Sequence, residues 1–182
     1  MSLNIVKPLF LVAALVLTSG LLGQTQQSGP IIEDHGAVWT VPETDYALRT
    51  DETLKAVFDI MDSPDDPKAL NRSLETAARF LNMHAQSGMS TEQLKVALVV
   101  HNKASKDILS QAAYTERYGV ENPNLKMVKA LQEAGVQFIF CGQSSLSRGY
   151  PKEDIIPGIQ LSLSAMTALI QLQNDGYRLI KF

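Results

Sequence analysis

The sequence predicts an α/β protein, a three-layer α/β/α sandwich built on a mostly parallel sheet. Three observations carry this prediction. Short apolar runs at Leu54–Ile60 (LKAVFDI), Leu94–Val100 (LKVALVV), Val136–Phe140 (VQFIF) and Tyr177–Ile180 (YRLI) alternate with stretches of helical periodicity. The run Leu94–Val100 shows almost no polar alternation, as expected of a strand covered on both faces. Strands separated by helices imply right-handed βαβ crossovers, which leave neighbouring strands parallel.

The elements follow in chain order. The 182 residues are of single-domain length. Residues 1–23 read as an export signal: Lys7 supplies a positive start, Leu9–Leu17 (LFLVAALVL) is an unbroken apolar run, and Thr18, Ser19, Gly20 and Gly23 offer small residues for cleavage. The run is too short to span a bilayer, which argues against an uncleaved anchor. No cysteine follows it directly, so lipidation at a cysteine is excluded. The expected location is therefore periplasmic or secreted, with no membrane contact once the signal is removed. Residues 24–53 read as a linker and N-terminal extension, polar at Gln24–Pro30, with one edge strand at Ala37–Val41 and Trp39 capping the core.

From Leu54 the pattern becomes regular. Asp66-Pro67 marks a helix start, because Asp66 can cap free amides and Pro67 suits the first helical position. Leu70, Leu74, Ala77, Leu81 and Ala85 then form one helical stripe, which Gly88 ends. His84 falls off that stripe. Asn122-Pro123 opens a second helix with Leu125, Val128 and Leu131 inward and Gly135 as its stop. A third runs Leu161–Asp175. It is apolar on more than one face, with Leu163, Met166 and Ile170 in addition to Ala165, Leu169 and Leu172, a surplus that points to a partner surface.

Composition removes several function classes. The chain is 45% hydrophobic and 19% charged, with a formal net charge of −3 and no block of Lys or Arg, so it is neither disordered nor built to neutralise nucleic-acid phosphates. A single cysteine excludes an internal disulfide framework and every C-x-x-C motif. No G-x-G-x-x-G, Walker A or nucleophile-elbow sequence occurs, and His35, His84, His101 and Cys141 lack metal-ligand spacing. No metal or cofactor is expected. Asp62, Asp65 and Asp66 read as helix-capping residues, and the sequon Asn71-Arg72-Ser73 as accidental within a helix.

Ligands of open α/β sheets bind beyond the carboxyl ends of strands, and two reactive residues fall there. His101 directly follows Leu94–Val100, and Cys141 directly follows Val136–Phe140. Gly142-Gln143-Ser144-Ser145-Leu146-Ser147-Arg148 suits a tight turn into a helical segment whose free amides point back at the sulfur. Such amides, with Arg148 or His101 nearby, lower a thiol pKa. Two readings stay open for each residue. Cys141 is either a working thiol or a buried small hydrophobe, and His101 either a general base or a ring anchored at a strand end. Cys141 and Arg148 bracket six residues, one too many for a phosphatase-type anion loop, which excludes that class.

Several stretches together resemble the DsrE/DsrF-like family. They are Val99-Val100-His101, Tyr118-Gly119-Val120-Glu121-Asn122-Pro123-Asn124, Cys141-Gly142-Gln143-Ser144, Arg148-Gly149-Tyr150 and Leu163–Leu169 (LSAMTAL). The resemblance covers Leu54–Phe182 and implies a flavodoxin-like, DsrE-like domain that assembles into trimers or hexamers. It further implies a sulfur carrier or sulfurtransferase in which Cys141 bears a persulfide, in exchange with a sulfur donor and acceptor. His101 is then the second catalytic candidate, and Gly142, Gln143, Ser144 and Arg148 the substrate-binding candidates. The characterised relay members are cytoplasmic, whereas this chain reads as exported. The competing functions are a non-catalytic oligomeric binding or assembly module with a structural Cys141, and a redox sensor that forms an intermolecular disulfide. The export reading has a direct outcome: N-terminal sequencing of exported protein should begin near Leu21 or Gln24, and a sequence starting at Met1 contradicts it.

Overall fold

The period-2 alternation of side chains along each strand divides the apolar residues between two cores of unequal size. The computed structural model describes residues 25–181, so the export signal lies outside the described residues. The elements are β1 (Leu54–Ile60), α1 (Arg72–Gln86), β2 (Leu94–Val100), α2 (Gln111–Tyr118), α3 (Leu125–Glu133), β3 (Gln137–Cys141), α4 (Gly142–Arg148), β4 (Gln160–Ser162), α5 (Ala165–Asn174) and β5 (Arg178–Ile180). The five strands form one sheet in the order β4-β3-β2-β1-β5, with every pair parallel. On one face Phe58, Ile60, Leu98, Val100, Phe138 and Phe140 pack under α1 and α3. On the other, Val57, Ala97, Val99 and Cys141 lie under Ala165, Ala168 and Leu172 of α5. Among the described residues, α5 is the helix whose buried side chains pack on the second face, and Leu163, Met166 and Ile170 remain exposed on or beside it.

Helix boundaries depart from the sequence expectation where a buried polar cluster competes. Asp66 caps only a local turn, its side chain accepting from the Lys68 amide at 2.9 Å. The N-cap of α1 is Asn71, which accepts from the Ser73 and Leu74 amides. Its Nδ2 donates to Asp107 Oδ2 at 2.6 Å and to the Asp62 carbonyl at 2.8 Å. Asp107 also accepts from Ser63 and Asn124, so one carboxylate ties the β1–α1 loop and the starts of α1 and α3 to the turn after β2. Burial pushes the Asp107 carboxyl above its ordinary range, although hydrogen bonds from Asn71 and Ser63 and the Lys106 charge oppose this. The sequon asparagine is thus a buried cap and not a mid-helix residue. α3 likewise begins at Leu125, two residues after Pro123, because Asn122 turns its side chain onto the Asn124 amide.

Three further expectations are corrected. The stretch expected as one helix from Leu161 splits into β4 and α5. Gln160–Ser162 pairs with Ile139–Cys141, and Ser164 caps the new helix start through the Thr167 amide. Ala37–Val41 forms no strand, only a single antiparallel bridge between Gln27 and Val38, and Trp39 is 51% exposed and caps nothing. The segment before it is no free linker. Buried Asn82 of α1 accepts from the amides of Ile31 and Ile32 and donates to the carbonyls of Ile32, His35 and Gly36. Gly36 lies so close to α1 that an added Cβ would sit 2.5 Å from the Ala78 carbonyl carbon.

The two capping assignments separate experimentally. Asn71→Ala removes a cap and orphans Asp107 and Asp62 acceptors, so urea unfolding should show a loss of about 3 kcal/mol. Asp66→Ala, on an exposed turn, should cost about 0.5 kcal/mol or less.

Candidate functional site

In-register parallel pairing assembles the site. Asp59 of β1 pairs with Val99 of β2, Val99 with Ile139 of β3, and Val100 with Phe140. His101 and Cys141 are the residues that next follow this last pair, and Cys141 pairs on its other side with Ser162 of β4. Residues at these odd positions face α5 with Val57 and Val99. Asp59, His101 and Cys141 therefore share the α5 face at the carboxyl end of the sheet. The His101 backbone remains tied to β1 through its amide, which donates to the Ile60 carbonyl at 2.9 Å.

Cys141 is the last residue of β3 and the residue from which α4 starts, and it is 5% exposed. Gly142 is needed there, because a Cβ would lie 2.6 Å from the Ser162 carbonyl oxygen of the adjoining strand. Burial alone would push the thiol up. The Ser144 amide and hydroxyl, with the amides of Ala165 and Gln143, outweigh it and hold the thiol below its ordinary value. The donors come from the first turns of two helices, α4 and α5, whose amides have no intrahelical partner. Ser144 Oγ itself accepts from the Asn102 amide at 3.0 Å, which fixes the hydroxyl beside the loop after β2. Asn102 holds φ +52°, in the left-handed region, directly after His101.

The remaining sequence candidates take different places. Arg148 lies at the end of α4 and hydrogen-bonds Asn102 Oδ1, so it braces this loop and does not act among the groups on the sulfur. The Gln143 side chain reaches toward the Leu163 carbonyl at 3.4 Å, while its amide serves the thiol. The His101 ring is bonded at Nε2 to Asp59 Oδ1 at 2.7 Å, and Lys181 Nζ donates to Asp59 Oδ2 at 2.8 Å. Burial raises the Asp59 carboxyl. The hydrogen bonds from Lys181 and His101, with their charges, bring it below its ordinary value. Asp59, Asn102, Lys181 and the Ala165 amide escaped the sequence reading. An acid inside the apolar run Leu54–Ile60 was the available signal for Asp59, whereas the others become visible only on folding. Among the described residues, no group of three or more His, Cys, Asp and Glu is placed to hold a metal ion, and no helix is long and apolar enough to cross a membrane.

A parallel α/β domain that presents a donor-wrapped thiol at a strand end is the class defined by this geometry. The chain belongs to the DsrE/DsrF-like family, whose model matches residues 55–182. Its fold is similar to that of MTH1491, a protein of unknown function from Methanobacterium thermoautotrophicum, at a TM-score of 0.53 and 16% identity over 71% of this chain and 99% of that one. It is also similar to the ychN protein from E. coli, at a TM-score of 0.53 and 18% identity over 71% of this chain and all (100%) of that one. At these identities the likeness shows the fold. No curated protein matches the chain.

The lowered thiol links stability to pH. With the folded value below the unfolded one, this contribution is fully present above the unfolded value of about 8.5 and is lost as pH falls through the folded one. The unfolding free energy of the wild type minus that of Cys141→Ser should therefore rise with pH across the neutral to weakly alkaline range. A pH-independent difference shows a thiol that stays protonated.

Proposed function

We propose that this protein is a thiol-based sulfur carrier in which Cys141 accepts a sulfane sulfur from a persulfide donor and passes it to an acceptor thiol. The place of Cys141 at the carboxyl end of β3, where the amide and hydroxyl donors of Ser144 and the amides of Ala165 and Gln143 hold its thiol below the ordinary value, carries this reading. Such donors stabilise a thiolate, the nucleophile that sulfur transfer requires. Membership of the DsrE/DsrF-like family, linked to sulfur relay, supports it. His101, which follows the neighbouring strand β2, is the group that exchanges the proton. Gly142 allows the close turn after Cys141, the Gln143 and Ser144 amides would stabilise charge on the added sulfur, and Arg148 braces the loop through Asn102. We further infer that the exported protein works as a homo-oligomer, a trimer or hexamer. The exposed Leu146, Leu161, Leu163, Met166 and Ile170 beside Cys141 form the apolar surface that a second copy would cover.

One observation favours a second reading, an assembly module with a structural cysteine: Cys141 is buried. Two measurements decide between them. After incubation with glutathione persulfide, mass spectrometry should find one added sulfur on Cys141 of the folded protein and none on Cys141→Ser. If the thiol is modified only in denaturant, Cys141 is packing and the carrier reading falls. Light scattering on the mature protein should return a trimeric or hexameric mass, and a strictly monomeric one contradicts the assembly.

A further inference from the structure

We propose that Asp59 is the positioning residue of this site: its carboxylate holds Nε2 of His101, so that Nδ1 is the ring nitrogen that exchanges a proton with Cys141, while Lys181 holds the carboxylate in turn. The inference rests on the sulfur-carrier reading and adds two residues to it.

The placement of Asp59 is the first argument. It stands at the carboxyl end of β1 beyond the buried Val57 on the same face, and its side chain is only 10% exposed. An ionised carboxylate there loses hydration and needs partners on both oxygens. It has them from distant parts of the chain: the His101 ring on Oδ1, 42 residues on, and Lys181 on Oδ2, 122 residues on. The second argument is redundancy. β1 and β2 are already joined by seven in-register pairs, from Leu54–Leu94 to Ile60–Val100, so the side-chain bond is not needed to hold the strands together. It does set the ring. A carboxylate that accepts from Nε2–H selects that tautomer and leaves Nδ1 as the basic nitrogen, on a residue one strand away from Cys141.

The chemistry then balances. Cys141 gives its thiol proton to His101 Nδ1, and the thiolate attacks the outer sulfur of a donor persulfide, R–S–SH. A new sulfur–sulfur bond forms to Cys141 as the donor's breaks, and the electron pair leaves with R–S⁻. R–S⁻ then takes the proton back from Nδ1. The products are R–SH and Cys141–S–SH, with no external oxidant or reductant. Asp59 keeps the same face of the ring turned to the sulfur through both proton transfers, and its negative charge stabilises the imidazolium between them.

The test compares wild type with Asp59→Ala and the isosteric Asp59→Asn in full-length mature protein. Three readouts are taken: sulfur transfer from glutathione persulfide, alkylation by iodoacetamide in alkaline buffer, and the His101 tautomer from ring 15N–1H correlations. Alkylation is the control, since iodide leaves without a proton. Asp59→Ala should slow transfer on the order of 10- to 100-fold, less than the roughly 100- to 10,000-fold that a general acid–base group itself contributes, because Asp59 acts only through His101. Alkylation should be unchanged, and His101 should lose its single Nε2–H tautomer. Lys181→Met should slow transfer by a smaller factor. Variants that transfer as fast as wild type, or that lose transfer and alkylation together, overturn the positioning role while leaving the carrier reading intact. A wild type that takes up no sulfur overturns the carrier reading itself, and this inference with it.

Discussion

The in-register parallel pairing of β1, β2 and β3 is the constraint on which the site depends, because it decides which side chains meet. Asp59, Val99 and Ile139 stand level across three strands, and His101 and Cys141 follow by the same register. A one-residue slip in any of these pairs would turn a strand's side chains to the opposite face. Cys141 would then point into the core under α1 and α3, with Phe138 and Phe140 brought out beneath α5. The large core resists that slip. Phe58, Leu98, Phe138 and Phe140 are buried there almost completely, and exposing them costs far more than the site could return.

The thiol illustrates a contest between burial and hydrogen bonding that geometry settles. A cysteine 5% exposed would ordinarily be a small hydrophobe with a raised pKa. Gly142 changes the outcome. Without a Cβ it lets the start of α4 lie against the Ser162 carbonyl. The amides of Gln143, Ser144 and Ala165, in the first turns of α4 and α5, then lower the thiol. Asn102 and Arg148 brace this arrangement from outside through Ser144 and through each other. The groups that act on the sulfur are thus amides and a hydroxyl, whose dipoles need no counter-ion and survive burial.

The unequal covering of the sheet places the site. On the α1–α3 face, two helices, the Asp107 cluster and the Asn82-bound segment seal the core. On the α5 face that helix covers the middle strands, and apolar side chains are left uncovered around the carboxyl end. The two faces thus differ, with dense support on one and an uncovered apolar rim on the other.

The sequence by itself determined the α/β class, four of the five strand runs, the apolar stripe of α1 and the two strand-end residues His101 and Cys141. Each of these rests on local periodicity or on position relative to it, which a linear reading captures. Only the tertiary structure decided the rest. It moved the start of α1 from Asp66 to Asn71, because Asn71 caps the helix while its side chain donates to the buried Asp107, 36 residues away. It cut β4 out of the expected last helix, because three residues could pair with the free edge of β3. It brought Asp59 and Lys181 to His101 and the Ala165 amide to Cys141, contacts between residues far apart in the chain that no spacing encodes. Periodicity reports which face of an element is apolar. Partners of a polar group depend on which elements become neighbours, and that is fixed only when the sheet closes its register.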